Sequence, residues 1–247
     1  GSCHADEVAN VKTSLHFTVR GEENLMKIRT AHRWPDVQPV FQQACQSCHA
    51  SCGDCHVSKA KSARGGLIDG HVFAKRPHME GSCGTCHGGR VFPEYTGKNE
   101  GFPPDVHWEK AKMDCVACHP MAQVHGDGNA YVNRHAVKNK PQCLNCHPNA
   151  KAAGSPIEQH AVHQNKVNCV VCHSTVYRGC ENCHVGEGAK SSLQFKIGKS
   201  SRSDASYQFT LLRHVPTVRD MWEPKVKDAM PNYDAVPTWK DTTPHNI

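Results

Sequence analysis

Residues 45 to 56 read CQSCHASCGDCH, two copies of Cys-x-x-Cys-His in immediate succession. Five more copies follow: CGTCH (Cys83, Cys86, His87), CVACH (Cys115, Cys118, His119), CLNCH (Cys143, Cys146, His147), CVVCH (Cys169, Cys172, His173) and CENCH (Cys180, Cys183, His184). With Cys45, Cys48 and His49, and Cys52, Cys55 and His56, the set takes up fourteen of the fifteen cysteines. Two thiols three positions apart lie on one side of a single backbone turn, and the next residue brings an imidazole to the same side.

Other uses of paired cysteines fit poorly. Zinc ribbons join one Cys-x-x-Cys knuckle to a second or to spaced histidines, whereas here a His directly follows every pair. A disulfide scaffold gives that His no reason. Thioredoxin-like chemistry needs one motif on a βα unit, and this chain has seven without that pattern. What remains is the attachment signature of c-type haem, with thioethers from both cysteines and the His as proximal iron ligand.

The chain opens GSCHADEV, so Cys3 and His4 form the back half of an eighth motif. A missing upstream residue, maturation inside the motif, a haem on one thioether, or a tag-derived Gly-Ser before a stray Cys-His would each account for it. The continuation ADEVANVKTSLH reads as the short helix and distal histidine that trail such motifs. The expected load is seven haems c, with an eighth at Cys3.

The apolar fraction is 38% with cysteine included and the aromatic fraction 6%, thin material for a side-chain core in 247 residues. The porphyrins are therefore expected to be the core, each offering two flat apolar faces. Short helices around a stacked haem array, joined by irregular coil, suit the 19 Gly and 15 Pro. The formal charge of +6 does not require nucleic acid. With its propionates each ferric haem carries about −1, so eight haems bring the total to about −2 and seven to about −1. The Lys and Arg excess is read as propionate neutralisation.

No apolar run reaches the length of a membrane span, and no signal peptide is present. A removed signal peptide and a periplasmic or extracellular location are expected, because haem is attached to such motifs outside the cytoplasm.

The proximal histidines from His56 to His173 are spaced by 31, 32, 28 and 26 residues, a loose haem repeat. His49 and His56 are seven residues apart and His173 and His184 eleven, so tether length predicts the closest haem pairs there. Residues 1–184 form the expected multihaem domain, and 185–247 a haem-free strap. Within the strap, alternation at Leu193, Phe195 and Ile197 and at Tyr207, Phe209 and Leu211 predicts a β-hairpin over 192–212, with Gly198 to Ser206 as turn. The abrupt end at TPHNI suggests a chain cut from something longer.

Beyond the motifs stand eleven histidines: His16, His32, His71, His78, His107, His125, His135, His160, His163, His214 and His245. Singly each is more often a surface residue; together they suit bis-histidine coordination of seven or eight irons. The six methionines follow no pattern relative to the motifs and are read as packing. Asp127 and Asn129 in HGDGNAY read as a turn rather than a calcium loop.

Through residues 3 to 184 the chain resembles multihaem c-type cytochromes. Its HAVH segment (His160, His163) is similar to the H-x-x-H of small tetrahaem cytochromes, where the two histidines serve different haems. Haem density, tight motif pairs and spare histidines resemble extracellular cytochrome filaments, or nanowires, and the RHVP and TPHN segments (His214, His245) resemble haem-free ends of long extracellular cytochromes. The resemblance implies electron transport along a haem chain, with redox proteins or extracellular acceptors as partners and no catalysis. Since His16, His32, His214 and His245 lie outside the complete motifs, ligation across a subunit boundary and head-to-tail homopolymerisation are expected. The alternative is a multihaem reductase of nitrogen or sulfur oxyanions with one five-coordinate haem, against which stands the absence of Cys-x-x-Cys-Lys.

Overall fold

The computed structural model describes residues 4–46, 49–151, 155–163, 165–178, 194–202, 204–214, 219–220 and 222–247. Cys3, Cys48, Leu193 and the whole motif Cys180–His184 lie outside the described residues.

Helix α1 (Ala5–Thr13) starts directly after His4, as its sequence predicts, with Asp6 and Glu7 in its first turn and Lys12 in its last, the signs that suit the helix dipole. Ser14 ends it and caps α2 (Leu15–Thr18), its hydroxyl accepting from the Phe17 N–H at 3.2 Å. Two longer helices follow, α3 (Arg20–Thr30) and α4 (Trp34–Ala44). In α4, Val37 and Phe41 are four residues apart and share a face. With Met26 of α3 they pack on Trp222, Val226, Ala229 and Met230 from the far end of the chain. Here the interior is made of side chains. The expectation that porphyrins alone form the core is corrected for this region, because an amphipathic helix pair finds its partner two hundred residues downstream.

The middle of the chain is built otherwise. It holds α5 (Cys52–His56), α6 (Gly84–His87), α7 (Val91–Thr96), α8 (Val106–Glu109), α9 (Cys115–Cys118), α10 (Met121–Val124), α11 (Glu158–His163) and α12 (Val170–His173), none longer than two turns. Among the described residues from Cys52 to Ser174, Ala60 is the one buried hydrophobic residue. Met121 and Phe73 stand 66% and 62% exposed. Side-chain packing does not hold this region together.

Strand β1 (Phe195–Lys199) pairs antiparallel with β2 (Phe209–His214), Ile197 opposite Leu211, within the span of the predicted hairpin. A Cβ on Gly198 would fall 2.6 Å from Leu212 Cδ1, so glycine there lets the Leu212 side chain lie over β1 without turning aside. A third strand the pattern did not predict, β3 (Trp239–Asp241), adds to β2 with Leu212 opposite Asp241. Buried Asp241 ties the turn to the sheet, accepting from the hydroxyls of Ser200 at 2.6 Å and Ser201 at 3.1 Å.

The last residues are sewn into the middle of the chain. The Arg90 guanidinium donates to Thr243 O, and that of Arg134 to Thr243 Oγ1 at 2.9 Å. The His245 N–H donates to Glu94 Oε1, Asn246 Nδ2 to Pro103 O at 2.6 Å, and the Ile247 N–H to Asp105 Oδ2 at 2.8 Å. Among the described residues no helix is long and apolar enough to cross a membrane.

Candidate haem-binding array

Each motif with described geometry coils into a tight turn. Ser51 opens α5 with a capping box, its hydroxyl and backbone N–H both donating to Asp54 Oδ2, at 2.6 and 2.8 Å. Asp114 caps α9, accepting from the Ala117 N–H at 3.2 Å while Arg76 holds it at 2.6 and 2.7 Å, and this pairing lowers the carboxyl pKa. At Cys143–Asn145 the turn is a 3₁₀ one. Local capping thus fixes the turn that puts thiols and imidazole on one side.

Five motif histidines each face a second histidine. The ring centres of His16 and His87 are 6.2 Å apart, His56 and His125 6.1 Å, His107 and His147 6.0 Å, His119 and His245 6.2 Å, and His160 and His173 5.8 Å. A metal–imidazole nitrogen bond is about 2 Å, so two rings binding one ion from opposite sides stand with centres about 6 Å apart. The observed spacing matches. Among the described residues no three His, Cys, Asp or Glu side chains converge as a metal-binding group, so the imidazoles come in twos. Two imidazoles at this spacing suit a metal whose other positions are filled by a macrocycle.

Several rings are held by their outer nitrogen. His56 Nδ1 donates to Ala74 O at 2.6 Å, His119 Nδ1 to Gln123 Oε1 at 2.9 Å, His245 Nδ1 to Thr243 O at 2.9 Å, and His107 Nδ1 to Asp105 Oδ1 at 3.1 Å. A proton committed to Nδ1 leaves Nε2 free for metal. His78 is set the other way, its Nδ1 accepting from the Gly81 N–H at 3.0 Å. Burial first, then the positive Arg90, holds His245 down to about 3, and burial with Arg134 holds His135 down to about 4. Both stay neutral, the form that ligates.

Neighbouring motifs touch in sequence order. Cys55 lies in the field of Cys83 and Cys86, its pKa pushed up to about 11 chiefly by burial. Cys83 meets Cys115 thiol to thiol, Cys118 lies near Cys146, and Cys143 meets Cys169. Motifs 32 and 26 residues apart are thus in contact, while the expected closest pairs, His49 with His56 and His173 with His184, involve Cys48 and Cys180–His184, which lie outside the described residues.

Two expectations about the chain ends are corrected. His16 and His245 stand opposite His87 and His119 of the same chain, because α2 and the sewn-in C-terminus carry them there. His214 lies against Trp239, ring centres 5.3 Å apart. His163, on the same face of α11 as His160, donates from Nδ1 to Gln159 O at 2.9 Å, and among the described residues no histidine ring faces it; the same holds for His4, His32, His71, His78 and His135. His49 is different again: Phe17 covers it at 4.5 Å beside an open cavity of about 360 Å³ lined by Phe17, Thr18, Gln46 and His49. In HGDGNAY, Asp127 accepts from the Asn129 N–H at 3.1 Å and the Tyr131 hydroxyl at 2.7 Å, the geometry of a closed turn.

Sequence reasoning missed the outer-shell acceptors. Asp105 two residues before His107, and Gln123 four after His119, were local signals that could have found them. It also missed Arg29, whose guanidinium is buried, stacked on Tyr233 at 4.5 Å, and without a hydrogen-bond partner on any of its three nitrogens. An orphaned buried cation asks for an anion, as a haem propionate would be. Paired imidazoles, motif turns and orphaned guanidinium all fit haem.

Donor set and spacing are those a haem would need, and a comparison points the same way. Residues 122–174, 53 of the 247, match the family described as cytochrome c554 and c-prime. That stretch contains the motifs ending at His147 and His173 together with His125, His135, His160 and His163, and the match supports a c-type cytochrome with haem c and electron transfer. No curated protein and no solved structure matches the chain.

Proposed function

We propose that the chain is an electron conduit, a row of bis-histidine c-type haems ordered along the sequence, working outside the cytoplasm. The observation that carries this is the set of five imidazole pairs at 5.8–6.2 Å. Bound haem would supply one-electron exchange at iron. The chain's own part is to fix spacing and ligand orientation: Cys52 with Cys55, Cys83 with Cys86, Cys115 with Cys118, Cys143 with Cys146 and Cys169 with Cys172 would anchor, and the paired histidines would close both axial positions. A site closed on both sides admits no substrate. Seven haems are proposed, and eight if Cys3 carries one.

The reading is tested by the mass of the denatured chain and by carbon monoxide binding to the reduced native protein. Seven or eight covalent haems with little carbon monoxide uptake support it. Fewer than seven, or uptake by most haems, would refute it.

Assembly into a filament is part of the same proposal, supported now by His32 and His163, exposed imidazoles with no facing histidine among the described residues. Electron microscopy decides it: discrete particles alone, with every ligand from one chain, end the filament reading. One observation favours the reductase alternative: among the described residues no histidine ring faces His49. Under that reading carbon monoxide binds at a single haem and His49→Ala abolishes the uptake.

A further inference from the structure

We propose that Asp105 is a positioning residue that makes the His107–His147 site the lowest-potential haem of the five described pairs, an inference that rests on the bis-histidine reading above. Asp105 is 1% exposed. Its Oδ1 accepts from both the backbone N–H of His107 at 2.8 Å and the ring Nδ1–H at 3.1 Å. Its Oδ2 accepts from the Ile247 N–H at 2.8 Å, and its own N–H donates to Tyr95 O at 3.0 Å. The carboxylate is thus held by the start of α8 and by the last residue, Ile247, while the Asp105 backbone is tied to α7. Among the described residues no lysine or arginine forms an ion pair with it.

The other anchored ligands of the five pairs meet neutral acceptors: the carbonyls of Ala74 and Thr243 for His56 and His245, and the amide of Gln123 for His119. A carboxylate differs in kind. It draws the Nδ1 proton toward itself, makes the imidazole a more basic ligand, and in a buried place its charge is poorly screened. Both effects favour ferric over ferrous iron. Two other carboxylates near the array are buried: Glu94 accepts from the backbone N–H of His245 rather than from a ring, with Arg90 3.4 Å away to offset its charge, and Asp241 accepts from the hydroxyls of Ser200 and Ser201. The low step would fall inside the row, since Cys118 neighbours Cys146 and Cys143 meets Cys169.

The test is a spectroelectrochemical titration of the haem-loaded full chain, with Asp105→Asn and Gln123→Glu beside the native protein and electron paramagnetic resonance on each. Asp105→Asn is expected to shift one low-potential component tenfold or more toward reduction, about 59 mV for a one-electron couple, leaving the low-spin signals in place. Gln123→Glu is expected to move a different component the opposite way. Components unmoved in both variants, with low-spin signals retained, overturn the proposal. Should Asp105→Asn disturb folding, because its amide nitrogen cannot accept from the Ile247 N–H, Gln123→Glu decides alone: an unmoved component overturns the mechanism and a lowered one supports it. High-spin iron across the native protein would instead refute the bis-histidine reading and take this proposal with it.

Discussion

Two regions of this chain solve the problem of an interior in different ways. Around α3, α4 and residues 222–230, Met26, Val37, Phe41, Trp222 and Met230 form an ordinary apolar cluster. From Cys52 to Ser174, Ala60 is the one buried hydrophobic among the described residues, and the recurring contact is one imidazole facing another. The first region draws on burial of its side chains, apart from the Arg29 guanidinium, which they leave without a hydrogen-bond partner. The second has too little apolar packing to offset the entropy of ordering its backbone, and its order must come from what the cysteines and histidines hold.

The largest expected effect follows from that contrast. Replacing Cys115 and Cys118 together by serine removes one anchor in the middle of the row. The mass should fall by one haem, and hydrogen exchange should rise across residues 91–147 while α3 and α4 stay protected. Equal loss of protection in both regions would show that the apolar cluster also depends on the haems.

The converse experiment is Phe41→Ala. Removing a fully buried phenylalanine costs about 3–5 kcal/mol, and Phe41 is 1% exposed with Trp34 at 5.5 Å. Denaturant unfolding followed by tryptophan fluorescence should show that loss, with haem count and Soret band unchanged. A Soret shift comparable to that of the cysteine variant would mean the two regions are one cooperative unit.

Smaller and more local is Ser51→Ala, which opens the capping box of α5 and should cost about 1 kcal/mol. The cost should appear as a lowered denaturant midpoint for the array, with mass and low-spin spectrum as in the native protein. An unchanged midpoint would mean that the thioethers fix this turn without help from its cap.

The contrast also explains which parts were legible in the sequence. A Cys-x-x-Cys-His turn is a local device, so the motifs, their repeat and the helix after His4 could be read directly. So could the hairpin, whose two strands alternate over a short span. Pairing of imidazoles is not local: His119 and His245 meet across most of the second half of the chain, and nothing in TPHN says which proximal histidine it will reach. The apolar cluster was hidden for the same reason, since the partner of WPDVQPVF lies beyond residue 220. Low overall hydrophobicity masked a core confined to one end. The strand Trp239–Asp241 is too short to show alternation, and only its pairing with Leu212 to His214 defines it.

The account stands most directly on the imidazole pairs, and ferric electron paramagnetic resonance of five single variants, His16→Ala, His107→Ala, His125→Ala, His160→Ala and His245→Ala, tests them. Each is predicted to convert one haem per chain from low-spin to high-spin, with the C-terminal His245→Ala as clear as the rest. High-spin signals that do not grow in any of the five would contradict the pairing and with it the reading of this chain as a row of closed haems.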